Sequence, residues 1–230
     1  YKEAGAHVEF VGHPLVDIVK LSMTKEEAMA FAGKEEGKKL ILLMPGSRLM
    51  EIEKMLPTLL EAAKIIKKQL PEVSFVMPRA GTIPISLLKE KIQASGLDVK
   101  ITEGNNYDLF SVADLALTTS GTVTLEAALC GLGSVIVYKT NPVTYFIAKL
   151  LVNIPHIGLP NIVAAKSVVP ELIQNDFTPT KVAQEALALL ESERNAKMKE
   201  DLVYVKERLG KPGAVGRVAE LVLKIAREKR

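Results

Sequence analysis

The segment that most constrains this chain is Lys39–Met44 (KLILLM), an apolar run closed by Pro45-Gly46. A strand wet on one face alternates apolar and polar residues; an uninterrupted run reads as a strand buried on both faces, the habit of a parallel sheet. Behind it Ile52, Met55, Leu56, Leu59, Leu60, Ala63 and Ile66 recur at helical spacing. Pro57 falls inside that pattern and is expected to kink or restart the helix, because proline removes a backbone donor. The alternation continues with strands over Val73–Met77, Val99–Thr102, Asp114–Thr118 and Ser134–Tyr138. Helices are read over Ser86–Ala94, Tyr107–Val112, Thr122–Leu129 and Pro142–Val152. Upstream, His7–Val11 (HVEFV) reads as a short strand, and Thr24–Ala32 as a helix opened by a Thr24/Glu27 capping box. Strands alternating with helices imply right-handed crossovers and an open parallel sheet. After Pro160-Asn161 no strand signal remains. Thr178–Leu190, Arg194–Leu209 and Pro212–Arg227 read as helices, the last with Val215, Val218, Val222 and Ile225 on one face. The expected fold is α/β: a Rossmann-like, doubly wound parallel sheet over residues 1–190, with a helical C-terminal tail over 191–230.

Composition removes several classes of function. Cys130 is the only cysteine, and His7, His13 and His156 are far apart, so neither a disulfide scaffold nor a metal-ligand cluster can be read. The net charge of +3 is too small for a nucleic-acid footprint. The excess sits in the tail, where residues 191–230 carry 11 Lys and Arg against 7 Asp and Glu; that charge suits solvated helix faces, an anionic surface or another domain. No apolar stretch reaches the ~20 residues that span a bilayer. The most apolar helix, VTYFIAKLLV (143–152), suits either a lipid interface or simple burial.

Ligands of open parallel sheets bind outside the carboxyl ends of the strands, so the loops there carry the functional reading. Met44-Pro45-Gly46-Ser47-Arg48 leads into the long helix. Glycine allows close backbone approach, the helix start offers free N–H groups, and arginine adds a fixed charge in a forked donor suited to phosphate. Thr118-Thr119-Ser120-Gly121-Thr122 opens the helix that carries Glu126, about one turn in. A carboxylate there can accept from both hydroxyls of a ribose whose phosphates sit at the helix tip. Each loop alone is also an ordinary capped turn. Together, on one sheet edge, they suit a nucleoside diphosphate.

Competing motifs are missing. Gly131-Leu132-Gly133 precedes a strand and has Ile136 where a dinucleotide fingerprint needs its third glycine. There is no P-loop, no G-x-S-x-G nucleophile elbow and no Asp-x-Asp pair to hold a metal on a diphosphate. Stabilising a leaving diphosphate then falls to protein donors.

The segments FVGHPL (Phe10–Leu15), LLMPGSR (Leu42–Arg48), TSGTVTLEAAL (Thr119–Leu129), VIVYKTNP (Val135–Pro142) and GLPNIVA (Gly158–Ala164) occur in the order found in lipid-A-disaccharide synthases, which the chain resembles over nearly its whole length. The resemblance implies the C-terminal, donor-binding domain of a GT-B glycosyltransferase that needs no metal or other cofactor. It implies transfer, with inversion, of 2,3-diacylglucosamine from UDP to 2,3-diacylglucosamine 1-phosphate, giving the β-1,6 lipid A disaccharide and UDP. Arg48 is then the catalytic residue that stabilises the departing diphosphate. Gly46, Ser47, Ser120, Gly121 and Thr122 line the diphosphate, and Glu126 binds the ribose. Asn161 faces the cleft near the donor. Arg79 sits near the uracil or is simply a solvated loop residue, and His13 caps a helix or serves a hinge rather than acid–base work.

Members of that family are longer, with a further Rossmann-like domain before the FVGHP segment that supplies the acceptor site and an essential aspartate. This chain opens on Tyr1 rather than Met. It is therefore expected to be a donor half that binds UDP without turning over, its tail helices made to pack on the preceding domain. The resemblance also implies a bacterial cytoplasmic protein peripheral to the inner membrane, with homodimerisation an open expectation. A UDP-N-acetylglucosamine 2-epimerase-like isomerase and a UDP-binding module without chemistry remain the alternatives.

Overall fold

The structure is a computed structural model that describes residues 5–6, 8–141, 145 and 155–228. Its centre is a six-stranded, wholly parallel sheet: β1 (Leu40–Met44), β2 (Ser74–Arg79), β3 (Lys100–Glu103), β4 (Leu115–Thr119), β5 (Ser134–Tyr138) and β6 (Glu171–Ile173). The strand order is β3-β2-β1-β4-β5-β6, the doubly wound order expected of a Rossmann-like sheet. The helices, in chain order, are α1 (Leu15–Ile18), α2 (Lys25–Ala32), α3 (Leu49–Gln69), α4 (Ile85–Ser95), α5 (Asn106–Val112), α6 (Thr122–Leu129), α7 (Leu159–Ala164), α8 (Pro179–Leu190), α9 (Ser192–Arg208) and α10 (Ala214–Glu228).

The uninterrupted apolar run of β1 is buried at all five positions, and the pleat explains why both faces need apolar residues. Ile41 and Leu43 join Leu115, Leu117, Phe75 and Met77 under α3 and α8, in a core that takes in Ile52, Leu56, Leu59, Val182 and Ala186. Leu40, Leu42 and Ala116 face the other way, onto Ala28, Ala32 and Phe110 of α2 and α5. The Thr24/Glu27 capping box that opens α2 is present as expected.

Several local readings change. Pro57 does not restart α3, which runs unbroken from Leu49 to Gln69. Pro57 and Glu53, whose carbonyl loses its intrahelical donor, both lie on the exposed side, where water can supply the missing bond. Val8–Val11 forms no strand; Phe10 is 66% exposed. The segment runs beside the C-terminal helices instead, the Val11 carbonyl accepting from Arg217 Nε at 2.8 Å and the His13 N–H donating to Leu209 at 2.9 Å. Conversely, the β signal does not end at Pro160-Asn161: β6 pairs with β5 through Ile136–Tyr138. The helix expected over Pro142–Val152 falls, apart from Tyr145, outside the described residues.

The two tail helices behave differently. In α9, Met198, Leu202 and Val205 are buried in the larger core. Only α10 projects. Its start is anchored by Asp17, which accepts from the N–H groups of Gly213 and Val215; the Gly213 bond, the largest cause, holds this carboxyl below its usual range. Beyond Ala214, the expected apolar face of Val215, Val218, Val222 and Ile225 is exposed.

Candidate functional site

β1 and β4 lie side by side in register, from Ile41 opposite Leu115 to Met44 opposite Thr118. To one side the order continues β2, β3; to the other, β5, β6. The loops leaving the two central strands therefore diverge, and the crevice between them is where open α/β sheets bind ligands. A cavity of about 410 Å³ occupies this place. Gly46, Ser47 and Arg48 line one wall, Ser120, Gly121, Thr122 and Glu126 the other, with Pro78 from β2, Ala80 just after it and Asn106 at the start of α5 completing the lining. Seven of the residues singled out in the sequence thus meet around one space.

The first wall is built around Gly46, whose φ of +119° lies in the region that favours glycine. A side chain there would run into the Glu51 carboxylate. Glu51 folds back over the turn, its Oε2 accepting from the N–H groups of Ser47 (2.8 Å) and Arg48 (3.2 Å). Its Oε1 takes Arg48 Nη1 at 3.0 Å. The Arg48 side chain is otherwise 81% exposed. Thr82 Oγ1 donates to the Ser47 carbonyl at 2.7 Å and so ties the loop after β2 to the loop after β1.

On the opposite wall, Ser120 Oγ donates to the Ile157 carbonyl at 2.9 Å. Gly121 is the N-cap of α6, with no side chain capping the helix. The first N–H groups of a helix have no partner one turn back, and Gly121, Thr122 and Val123 at this end line the cavity. Glu126 lies one turn in and is half-buried; Tyr107 Oη donates to its Oε1 at 3.5 Å. Burial pushes the Glu126 carboxyl up, opposed by the Tyr107 hydrogen bond, and burial likewise raises Tyr107. Tyr107, Asn106 and Glu51 were not found from the sequence. The signal for Glu51 was present: a glutamate three residues after the loop arginine, the spacing of a carboxylate that closes back on a helix start.

Two expected residues are not in the cavity. Arg79 is neither a solvated loop residue nor a lining one. It is the last residue of β2, its guanidinium paired with Glu103 at 2.7 Å and donating to the Ile83 carbonyl at 2.6 Å. The Glu103 bond raises Arg79 and lowers Glu103. Period-two alternation explains the placement: Pro78 and Ala80 face the cavity, so Arg79 between them faces away. Asn161 is fully buried. Its amide donates to the Val169 carbonyl and Glu171 Oε1, and its oxygen accepts from Val168 and Val169. It locks α7 to the approach of β6. His13 does cap a helix, its Nδ1 accepting from Leu15 at 3.2 Å.

The family model described as Lipid-A-disaccharide synthetase matches residues 1–223. The lipid-A-disaccharide synthase of Geobacter sulfurreducens is 43% identical over 226 residues, covering 98% of this chain and 59% of the relative. The chain thus spans about three fifths of the length of the curated relatives it matches. Among solved structures, S. aureus MnaA with UDP superposes with a TM-score of 0.65 at 15% identity, over 94% of this chain and 54% of that one. WaaG, a glycosyltransferase involved in lipopolysaccharide biosynthesis, gives 0.56 at 16% identity, over 84% and 49%. At such identities these structures speak for the fold alone.

Proposed function

Since the chain belongs to the lipid-A-disaccharide synthase family, a glycosyltransferase family of lipid A biosynthesis, we propose that it is the part that binds the UDP-sugar donor, with the diphosphate seated between the loops after β1 and β4. The observation that carries this is the meeting of Arg48 and Glu126 across one cavity at the point where the strand order reverses. Family membership also favours the transferase over an epimerase-like isomerase.

In this reading UDP lies with its ribose hydroxyls on Glu126, held by Tyr107, and its phosphates at the open start of α6. The donor sugar is 2,3-diacylglucosamine, and the acceptor is 2,3-diacylglucosamine 1-phosphate. An acceptor hydroxyl attacks the anomeric carbon and gives up its proton to a base on the acceptor side, the bond from that carbon to the diphosphate oxygen breaks, and UDP departs carrying the electron pair. Negative charge grows on the diphosphate as the bond breaks. The α6 N–H groups offer donors to that charge and Arg48 a charged one, which is the arrangement that lowers such a barrier. Gly46 and Ser47 shape the seat, and Ser120, Gly121 and Thr122 form its other side. Asn161 and Arg79 act through the frame, holding α7 and the end of β2.

Both proposed substrates carry acyl chains, so the protein works peripherally at the inner face of a bacterial membrane. Among the described residues no helix is long and apolar enough to cross one. A thermal-shift titration tests the reading: UDP should raise the melting temperature by ligand linkage, and NAD and ATP should leave it unchanged. A response to NAD and none to UDP overturns the assignment. Disaccharide synthesis by this chain alone would contradict its restriction to donor binding.

A further inference from the structure

The loop that offers donors to a diphosphate is not empty-handed in the free protein. The Ser47 N–H, the Arg48 N–H and the Arg48 guanidinium all end on one carboxylate, that of Glu51. Glu51 itself lines the cavity. Gly46 leaves open the volume the carboxylate fills, since any side chain at 46 would strike it. The opposite wall differs: the start of α6 has no side-chain cap. One half of the anion seat is open and the other is already satisfied by an internal anion.

We propose that Glu51 is a resident counter-anion of the donor site, which the nucleotide diphosphate must displace to reach Arg48 and the loop amides. This rests on the nucleotide reading above and adds a residue that sets its affinity. A carboxylate and a phosphate cannot share these donors without like-charge repulsion. The displacement is feasible because the held pair is near the surface, where an ion pair is weak. Its consequence is a guard on the site. Neutral or singly charged ligands gain too little from Arg48 to open the pair, whereas a diphosphate offers more charge than the carboxylate it replaces.

The alternative is that Glu51 merely positions Arg48, and the two roles give opposite signs. Calorimetric titration of UDP into the wild-type chain, Glu51→Gln and Glu51→Ala separates them. Displacement gives tighter UDP binding in both variants, on the order of tenfold, about 1.4 kcal/mol, with a smaller gain for UMP. Unchanged or weaker UDP binding in the variants, beside clear binding by wild type, overturns the proposal and leaves the nucleotide site standing. No UDP binding by wild type overturns the nucleotide reading and this inference with it. A readout that needs no variant is the carbon-13 shift of the Glu51 carboxylate in wild-type protein. It should move on adding UDP, and a shift that stays fixed at saturation also overturns displacement.

Discussion

Met44 and Thr118 are register partners at the ends of β1 and β4. From each, four residues of chain reach the far side of its loop: Arg48, the N-cap of α3, and Thr122, the first residue of α6. Because the strands are parallel and adjacent, two sequence segments some seventy residues apart leave the sheet in the same direction at the same height. The cavity between them follows from that register. Neither loop alone is more than a capped turn; the pairing of β1 with β4 makes them the two walls of one cavity.

Arg48→Ala should weaken UDP binding by about ten- to a hundredfold, the worth of one to two charge-assisted hydrogen bonds. The side chain is 81% exposed and packs against no core, so the melting temperature of the free protein should hold within about a degree. Calorimetry and a thermal scan of the same preparation check both halves. Unchanged affinity would remove Arg48 from the diphosphate.

Glu126→Ala tests the sugar end. With UDP the affinity should fall about tenfold, the scale of a hydrogen bond to a charged group. With 2′,3′-dideoxy-UDP, which has no vicinal hydroxyls to offer, wild type and variant should bind alike. An equal loss with both nucleotides would show that Glu126 supports the wall rather than the ribose.

What the sequence shows and what it hides follow from range. β1, β4 and β5 are legible because strands buried on both faces must be apolar throughout, as Leu40–Met44 and Ser134–Tyr138 nearly are. β6 is not, because a three-residue edge strand, half-buried at every position, carries no such demand. Gly46, Ser47, Arg48, Ser120, Gly121, Thr122 and Glu126 are legible because loop chemistry is local. Arg79 and Asn161 mislead because their partners, Glu103, Glu171 and Val169, are chosen by tertiary packing. The fate of Pro57 depends on which side of α3 faces water, and that too is decided by the fold.

Asn161→Ala should therefore behave as a stability variant. It strips a fully buried side chain that makes four hydrogen bonds and leaves the Val168 and Val169 N–H groups without their acceptor. The expected cost is about 2–4 kcal/mol in urea unfolding, with UDP affinity of the folded fraction unchanged. A stable Asn161→Ala protein with lost UDP binding would return the residue to the cleft.

Acid should destabilise the fold through two aspartates. Burial alone would raise Asp108 and Asp114, but hydrogen bonds outweigh it and hold both below the ordinary 3.8. Asp108 accepts from Ser22 and Met23, and Asp114 from Lys34 and the Leu40 N–H. With depressed folded-state values, the unfolded chain binds more protons as pH falls through 3.8, so the contribution is present above that value and is lost below it. The urea midpoint should be flat from about pH 7 to 5 and fall steeply below about 4. Asp108→Asn and Asp114→Asn should each lower the midpoint at neutral pH and shallow the acid slope. An unchanged slope in both would place the acid transition elsewhere.

The central claim is that two loops from adjacent strands form one diphosphate seat, and amide hydrogen exchange with and without saturating UDP tests it most directly. Exchange should slow together at residues 46–48 and 121–123, on the two opposite walls. Saturable UDP binding that leaves either loop's exchange unchanged would contradict the shared seat.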